Sequence, residues 1–358
     1  MSSWGIVAFW AGWCAVALLA SAAATFRLIG WVESRGVVDR PNSRSSHTRV
    51  TPRGGGLAIV AITAWGAILA AFLYPASAWP LVAVVVPALA VAYVSWLDDI
   101  QPLQNRVRFG VHLAAAAATV AILGPLRQLD LGTLGALQLG LAAWPISILW
   151  LVGMTNAFNF MDGIDGIAGI TAAVAGAAIA AAAACLGVEP LAAAGLAFAG
   201  AAIGFLTCNW PPARIFMGDV GSAFCGFVIA VLPLLGGAPA TTRLAMIAAV
   251  AMWPFIFDTA FTLCRRTAKR ENIFKAHRSH LYQRLVIAGW SHRAVSSLYG
   301  GLSAMAAAVA LAPLCDAALA RTATTLAAAT IAVGIALLLT LVHLSEKAEG
   351  RKAPGASA

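Results

Sequence analysis

Charge is scarce in this chain. Only 10% of its 358 residues are Asp, Glu, Lys or Arg, against 61% hydrophobic ones, and mean hydropathy is +0.85. Soluble domains hold about 45–50% apolar residues, so a water-soluble globule is excluded. No C-x-x-C pair is present: Cys14, Cys185, Cys208, Cys225, Cys264 and Cys315 stand singly. That argues against a thiolate metal site or a disulfide framework, and for small apolar fillers within helices. The first apolar run has no basic leader and no clear small-residue cleavage site, so it reads as a retained span rather than a removed signal peptide. Convincing internal repeats are also missing. Ala-rich tracts such as AAVAGAAIAAAAACLG read as close-packing helix surfaces, not low complexity.

What is present in abundance is long apolar runs. Each is long enough to cross about 30 Å of hydrocarbon as a helix, and backbone in lipid must satisfy its own hydrogen bonds. The expected fold class is therefore all-α: a polytopic integral membrane protein with about eleven spans, at roughly 5–30, 55–74, 80–97, 108–124, 142–159, 166–186, 190–208, 220–237, 242–263, 293–314 and 322–343. An odd count puts the termini on opposite sides. Counted with their flanks, only Arg127, Arg243 and Arg321 of the 23 Lys and Arg fall on one side. The other side is then cytoplasmic, with the N-terminus periplasmic and the C-terminus inside. This bias explains the net charge of +9 without nucleic acid as a partner. Residues 1–344 form one expected membrane domain, and 345–358 a disordered cytoplasmic tail.

Every unusual polar cluster falls at an expected cytoplasmic loop or helix end. These are DRPNSRSSHTRVTPRGGG at 39–56, WLDDI at 96–100, NAFNFMDGIDGIAG at 156–169, ARIFMGDVGS at 213–222 and RRTAKRENIFKAHRSHLYQRL at 265–285. Asp98, Asp99, Asp162, Asp165 and Asp219 are five of the fourteen acids, set in loops otherwise dominated by Arg. Convergent carboxylates suit Mg²⁺, which takes hard oxygen ligands and shares its coordination with substrate phosphates. The competing reading is a charge-balanced set of helix ends reaching into headgroups. Glycines tilt the balance. Gly163 and Gly166 break the helix after each Asp of DGIDG, and Gly218 and Gly221 bracket Asp219 at a helix start, a favourable place for a metal-bound anion. The amides of PRGGG offer a similar cradle.

Together these motifs resemble the polyprenyl-phosphate N-acetylhexosamine-1-phosphate transferases, the membrane superfamily that initiates O-antigen, enterobacterial common antigen and peptidoglycan lipid intermediates. The resemblance runs from about Asp39 to Arg284. It rests on DRPNxRSSH with TPRGGG, then LDD, NAFNFMDGIDG, FMGDVGS and HRSH, in that order. It implies transfer of a sugar-1-phosphate from a UDP-N-acetylhexosamine to undecaprenyl phosphate in the inner membrane, releasing UMP. Asp219 would be the principal Mg²⁺ ligand, with Mn²⁺ as a substitute; Asp98 or Asp99 would bind the metal or deprotonate the lipid phosphate, with Asp98 favoured as the base and Asp99 as the second metal ligand. Asn156, Asn159, Asp162 and Asp165 would hold the nucleotide and order the metal shell. His277, Arg278 and His280 would embrace the sugar diphosphate, with Arg53 contributing from the glycine loop, and relatives suggest a homodimer.

Two departures stand out. Some relatives carry Lys shortly after the Asp pair, whereas this chain reads DDIQPLQNRVRF, so Arg106 or Arg108 would supply the charge. HRSH also differs from the His-rich triplet of the peptidoglycan enzyme and is closer to the O-antigen-initiating subgroup.

Some polar residues have blander readings. Asp258, alone in FIFDTAF, divides evenly between a structural hydrogen-bonding role and the site. His112 reads as a satisfied helix-packing group, His292 and His343 as interfacial. His47 sits in a motif-bearing loop and is a lesser candidate for substrate contact. The rival functions are a transporter of phosphorylated or cationic solutes, an inactive scaffold of the same ancestry, and a glycosyltransferase that releases UDP. A transporter usually shows midplane sites and internal repeats, and neither is evident.

Overall fold

The computed structural model describes residues 3–41, 49–130, 135–237, 240–272, 277–315 and 323–352. Among them the chain forms thirteen α-helices: α1 (Ser3–Ser34), α2 (Gly56–Leu73), α3 (Ala78–Ile100), α4 (Asn105–Leu123), α5 (Ala143–Met161), α6 (Ile167–Cys185), α7 (Glu189–Asn209), α8 (Asp219–Val231), α9 (Ala240–Ala251), α10 (Trp253–Ala268), α11 (Leu281–Ile287), α12 (His292–Cys315) and α13 (Ala323–Lys352). Ten stretches are long and apolar enough to cross a membrane, or eleven if α9 and α10, bent by 67° at their junction, make one span. The chain is thus an all-α, multi-pass membrane protein. The bend corrects the expected single span over 242–263: α9 ends at Ala251, Met252 caps α10, and Pro254 follows Trp253 at its start, where proline's missing N–H costs nothing.

The bundle is built around α6, α7 and α8, whose apolar residues are buried nearly all round. Small side chains make that density attainable, since helices in lipid gain from close van der Waals approach. Gly200 and Gly204, one turn apart on α7, receive α1: a β-carbon at Gly200 would stand 2.6 Å from the Cys14 carbonyl, and one at Gly204 would strike the Leu18 carbonyl. Helices α1 and α13 lie outermost and expose Leu19, Phe26, Val333 and Leu337, as lipid-facing surfaces do.

Two small antiparallel ribbons interrupt the helices. β1 (Val38–Asp39) pairs with β2 (Thr51–Pro52), and β3 (Gln128–Asp130) with β4 (Ala136–Gln138). The expected disordered tail needs correction. Helix α13 continues to Lys352, because Glu346 takes a bidentate pair from Arg284 at 2.7 Å and Ser345 accepts from the Trp290 indole at 2.9 Å. Residues 353–358 lie outside the described ones.

Candidate active site

The glycine run before α2 and the turn before α8 are bound to one another. The amides of Gly54 and Gly55 donate to the Phe216 carbonyl at 3.1 and 2.9 Å, and that of Gly56 to the Met217 carbonyl at 2.9 Å. These amides therefore hold the 216–217 turn instead of offering a phosphate cradle, a correction to the reading of PRGGG. Glycine is required for the fit: a β-carbon on Gly221 would lie 2.6 Å from the Gly56 α-carbon. At Gly218, φ is +77° and a β-carbon would meet the Asp99 carboxylate at 2.7 Å.

That turn delivers Asp219 to a cluster of carboxylates and arginines. Asp99, with its side chain 0% exposed, accepts from the Asp219 and Val220 amides at 2.9 Å each. It thereby caps α8 from another helix. Arg53 Nε lies 2.8 Å from Asp99, and its terminal nitrogen lies 2.5 Å from Asp219. Arg108 reaches Asp98 at 2.6 Å and Asp219 at 3.0 Å. Asp98 also takes the Leu103 amide at 2.6 Å, pinning the turn between α3 and α4. Burial works against the charge of Arg53, yet Asp219 and Asp99 hold its guanidinium above the usual arginine range.

The stretch 156–169 divides between the cluster and its support. Asp162 follows the last residue of α5 and stands within electrostatic reach of Arg53, Asp219 and Asp99. Burial pushes its carboxyl up to about 7; Arg53 opposes this, while Asp219 and Asp99 add to it. Asn159 donates to the Ser222 hydroxyl at 3.0 Å, on the first turn of α8. Asn156, a turn deeper, donates to its own helix at Val152. Asp165 serves elsewhere. Its carboxylate accepts the Ala213 amide at 3.0 Å and stands 3.3 Å from His292 Nδ1, so it anchors the 209–219 turn to α12. His292, expected at an interface, is thus a partner of Asp165.

The HRSH segment closes the same end of the bundle. Tyr282, just after it, reaches the Phe160 carbonyl with its hydroxyl at 3.4 Å and packs on Gly163. Asp258, 0% exposed on α10, organises the segment. One of its oxygens accepts from His280 Nδ1, the Leu281 amide and the Thr262 hydroxyl at 3.1, 2.8 and 3.2 Å. The other accepts from the Tyr282 amide and the Tyr299 hydroxyl at 3.1 and 2.7 Å. The His277 and His280 rings lie 5.1 Å apart. Burial, then His280 and Arg266, lower His277 to about 4, so it is a neutral imidazole near pH 7. Arg278 is half-buried beside Tyr282.

Asp98, Asp99, Asp162, Asp219 and Arg53 therefore meet, with Asn159 alongside. Arg106 does not join them: it is exposed, and residues two apart on a helix face different ways. Arg108 supplies the charge instead. Asp258 is the organising residue that sequence left undecided; its one signal was an acid set amid aromatic residues. His47 lies outside the described residues.

Among the described residues no three His, Cys, Asp or Glu side chains form a ready-made metal shell; the carboxylates are turned onto arginine. The donor set nevertheless fits a hard divalent cation. Four carboxylates face two guanidiniums, and the Asp162 carboxylate accepts no hydrogen bond among the described residues.

The bundle thus gathers acids and arginines from α3, α4, the end of α5, α8 and the loop before α2 into one polar site at one end of its helices. Comparison with known proteins makes this specific. Residues 81–237 match the glycosyl transferase family 4 model. A probable undecaprenyl-phosphate N-acetylglucosaminyl 1-phosphate transferase of Bacillus subtilis is 32% identical over 263 residues, 72% of each chain. A decaprenyl-phosphate N-acetylglucosaminephosphotransferase of Mycobacterium tuberculosis is 28% identical over 73% of this chain and 71% of its own. A phospho-N-acetylmuramoyl-pentapeptide-transferase of a Synechococcus strain is 30% identical over 75% of this chain and 81% of its own. This chain belongs to glycosyl transferase family 4 and is an enzyme of the polyprenyl-phosphate sugar-1-phosphate transferase kind.

Proposed function

We propose that the protein transfers an N-acetylhexosamine-1-phosphate from a UDP-sugar to undecaprenyl phosphate, releasing UMP. The observation that carries this reading is the largely buried cluster of Asp98, Asp99, Asp162 and Asp219 set against Arg53 and Arg108. A Mg²⁺ ion, or Mn²⁺ in its place, would offset charge on the diphosphate and the departing nucleotide. Asp219 and Asp98 would hold it. Asp99, the expected second ligand, is held more firmly: its oxygens accept two backbone amides besides Arg53, against one amide for Asp98 and none for Asp219.

The chain's own groups do the rest. An acceptor phosphate oxygen attacks the phosphorus that carries the sugar; a new P–O bond forms as the bond to UMP breaks. Arg53 and Arg108 neutralise the phosphate oxygens in that geometry, and orientation supplies much of the acceleration. A phosphate monoester is already largely anionic near pH 7, so no strong base is needed and Asp98 serves to hold charge. Asn159 and Asp162 face the nucleotide side, with Asn156 beneath them, while His277, Arg278 and His280 close over the sugar. The basic-residue bias supports a site facing the cytoplasm, and HRSH supports an envelope-polysaccharide role over the pentapeptide substrate. Whether two copies associate does not enter the chemistry.

The test uses protein in detergent with undecaprenyl phosphate, Mg²⁺ and a panel of UDP-N-acetylhexosamines, with identification of the nucleotide released. UMP from at least one donor, lost in Asp219→Asn, is expected. Release of UDP, or full turnover by Asp219→Asn in excess EDTA, overturns the mechanism.

A further inference from the structure

His112 is 1% exposed, and among the described residues neither of its ring nitrogens has a hydrogen-bond partner. Buried polar atoms almost always find partners, so such an orphan marks a place where something else completes the bonding. The ring stands among Arg108, Asn156 and Asp219. The Asn156 amide, which stands alongside the ring, gives one of its two N–H groups to the Val152 carbonyl at 2.7 Å. On α4, His112 follows Arg108 by four residues, which puts both on one face with the histidine about 6 Å deeper in the bundle. It lies beneath the carboxylate layer, on the hydrocarbon side.

Depth separates the two substrates. A water-soluble nucleotide sugar enters from the loop end, over Arg53 and the HRSH segment. A lipid phosphate must enter from the flank, between helices, with its tail in the hydrocarbon. Helix α4 is peripheral and exposes Val107, Phe109 and Leu113, and Phe160 is exposed on neighbouring α5, so that flank is apolar and open to lipid.

Resting on the function proposed above, we infer that His112 is a binding residue for the acceptor: a ring N–H donates to a phosphate oxygen of the polyprenyl phosphate. Arg108 covers the ring from the loop side while it holds Asp98 and Asp219. Arg108 uncovers it on turning to the incoming phosphate. Asn156, on neighbouring α5, stands beside the ring.

The experiment measures binding of undecaprenyl phosphate and of UDP-N-acetylhexosamine separately, in full-length wild type, His112→Leu and His112→Gln, together with KM for each substrate and the melting temperature. Losing one hydrogen bond to a charged group weakens acceptor binding about tenfold or more. The expected result is that loss in His112→Leu, with donor binding within about twofold, an undiminished melting temperature and substantial recovery in His112→Gln. Unchanged acceptor binding in His112→Leu overturns the inference, as does equal weakening for both substrates with a lower melting temperature. If the wild type releases no UMP from any donor, the functional reading fails. The binding measurements still decide the role of His112.

Discussion

The anchor beneath the HRSH segment gives the sharpest test of how this site is held together. Asp258→Asn conserves shape and removes only the charge and one acceptor. One Asp258 oxygen accepts from His280, Leu281 and Thr262, and the other from Tyr282 and Tyr299. An Asn amide must turn its N–H₂ toward one of those groups. With the carbonyl kept toward Leu281, the Tyr282 amide faces another donor and the Tyr299 hydroxyl can only accept. Hydrogen bonds to a charged group contribute about 1.5–3 kcal/mol each, so losing the Tyr282 bond outright and making the others neutral weakens the anchor by roughly 2 kcal/mol or more. The segment carrying His277 and His280 then shifts, and a displacement of about 1 Å costs on the order of 10²-fold in rate. Steady-state kinetics with separate variation of donor and acceptor, alongside thermal melting, is the assay. The expected outcome is a kcat reduced by about 10²-fold with Tyr299→Phe, which removes one donor and leaves the carboxylate, far milder. An Asp258→Asn enzyme that melts and turns over like wild type would refute the anchoring argument.

Three further outcomes follow from the same geometry. Arg108→Ala should reduce kcat by about 10²-fold or more, as loss of a charge-stabilising donor does, while Arg106→Ala should be indistinguishable from wild type in the same assay. In EDTA-treated protein, Asp162 near 7, against an ordinary 3.8, means the folded state binds a proton that the unfolded chain has released. Stability should therefore fall as pH rises from about 4 to about 7 and level off above it, and Asp162→Asn should flatten the melting temperature over that window. Gly221→Ala places a methyl 2.6 Å from the Gly56 α-carbon; overpacking of this kind costs about 1–3 kcal/mol, and a drop in melting temperature with loss of turnover is expected.

The helical membrane fold was legible because each long apolar run records its own span, independent of its neighbours. The carboxylates were legible too, since five acids in an acid-poor chain are conspicuous and their motifs are specific. What the sequence did not reveal was which way each group turns. Asp165 and Asp162 are three apart with a glycine after each, yet one points to the Ala213 amide and the other to the arginine cluster. The non-helical stretch 162–166 between α5 and α6 separates them, and it ends at Gly166, with φ of +80°, packed against Trp210 and Pro211 from another loop. The bend between α9 and α10 was hidden because hydropathy averages across it. The helical tail was hidden because its stability comes from Arg284 and Trp290, over fifty residues earlier in the chain.

The glycine run shows the limit most clearly. Three consecutive glycines before a helix carry the signature of a phosphate cradle, because free amides attract anions. Here the amides are spent on the 216–217 carbonyls, and the glycines are needed for their missing side chains. Gly56 lies against Gly221, so α2 and α8 start together, and the same contact sets Arg53 against Asp219. The anion-binding capacity of this loop thus resides in the Arg53 side chain, whose position the glycines fix. A motif can therefore locate the right part of a site while assigning the chemistry to the wrong atoms. Only the partners of each donor, in three dimensions, separate a loop that binds phosphate from one that aims an arginine at it.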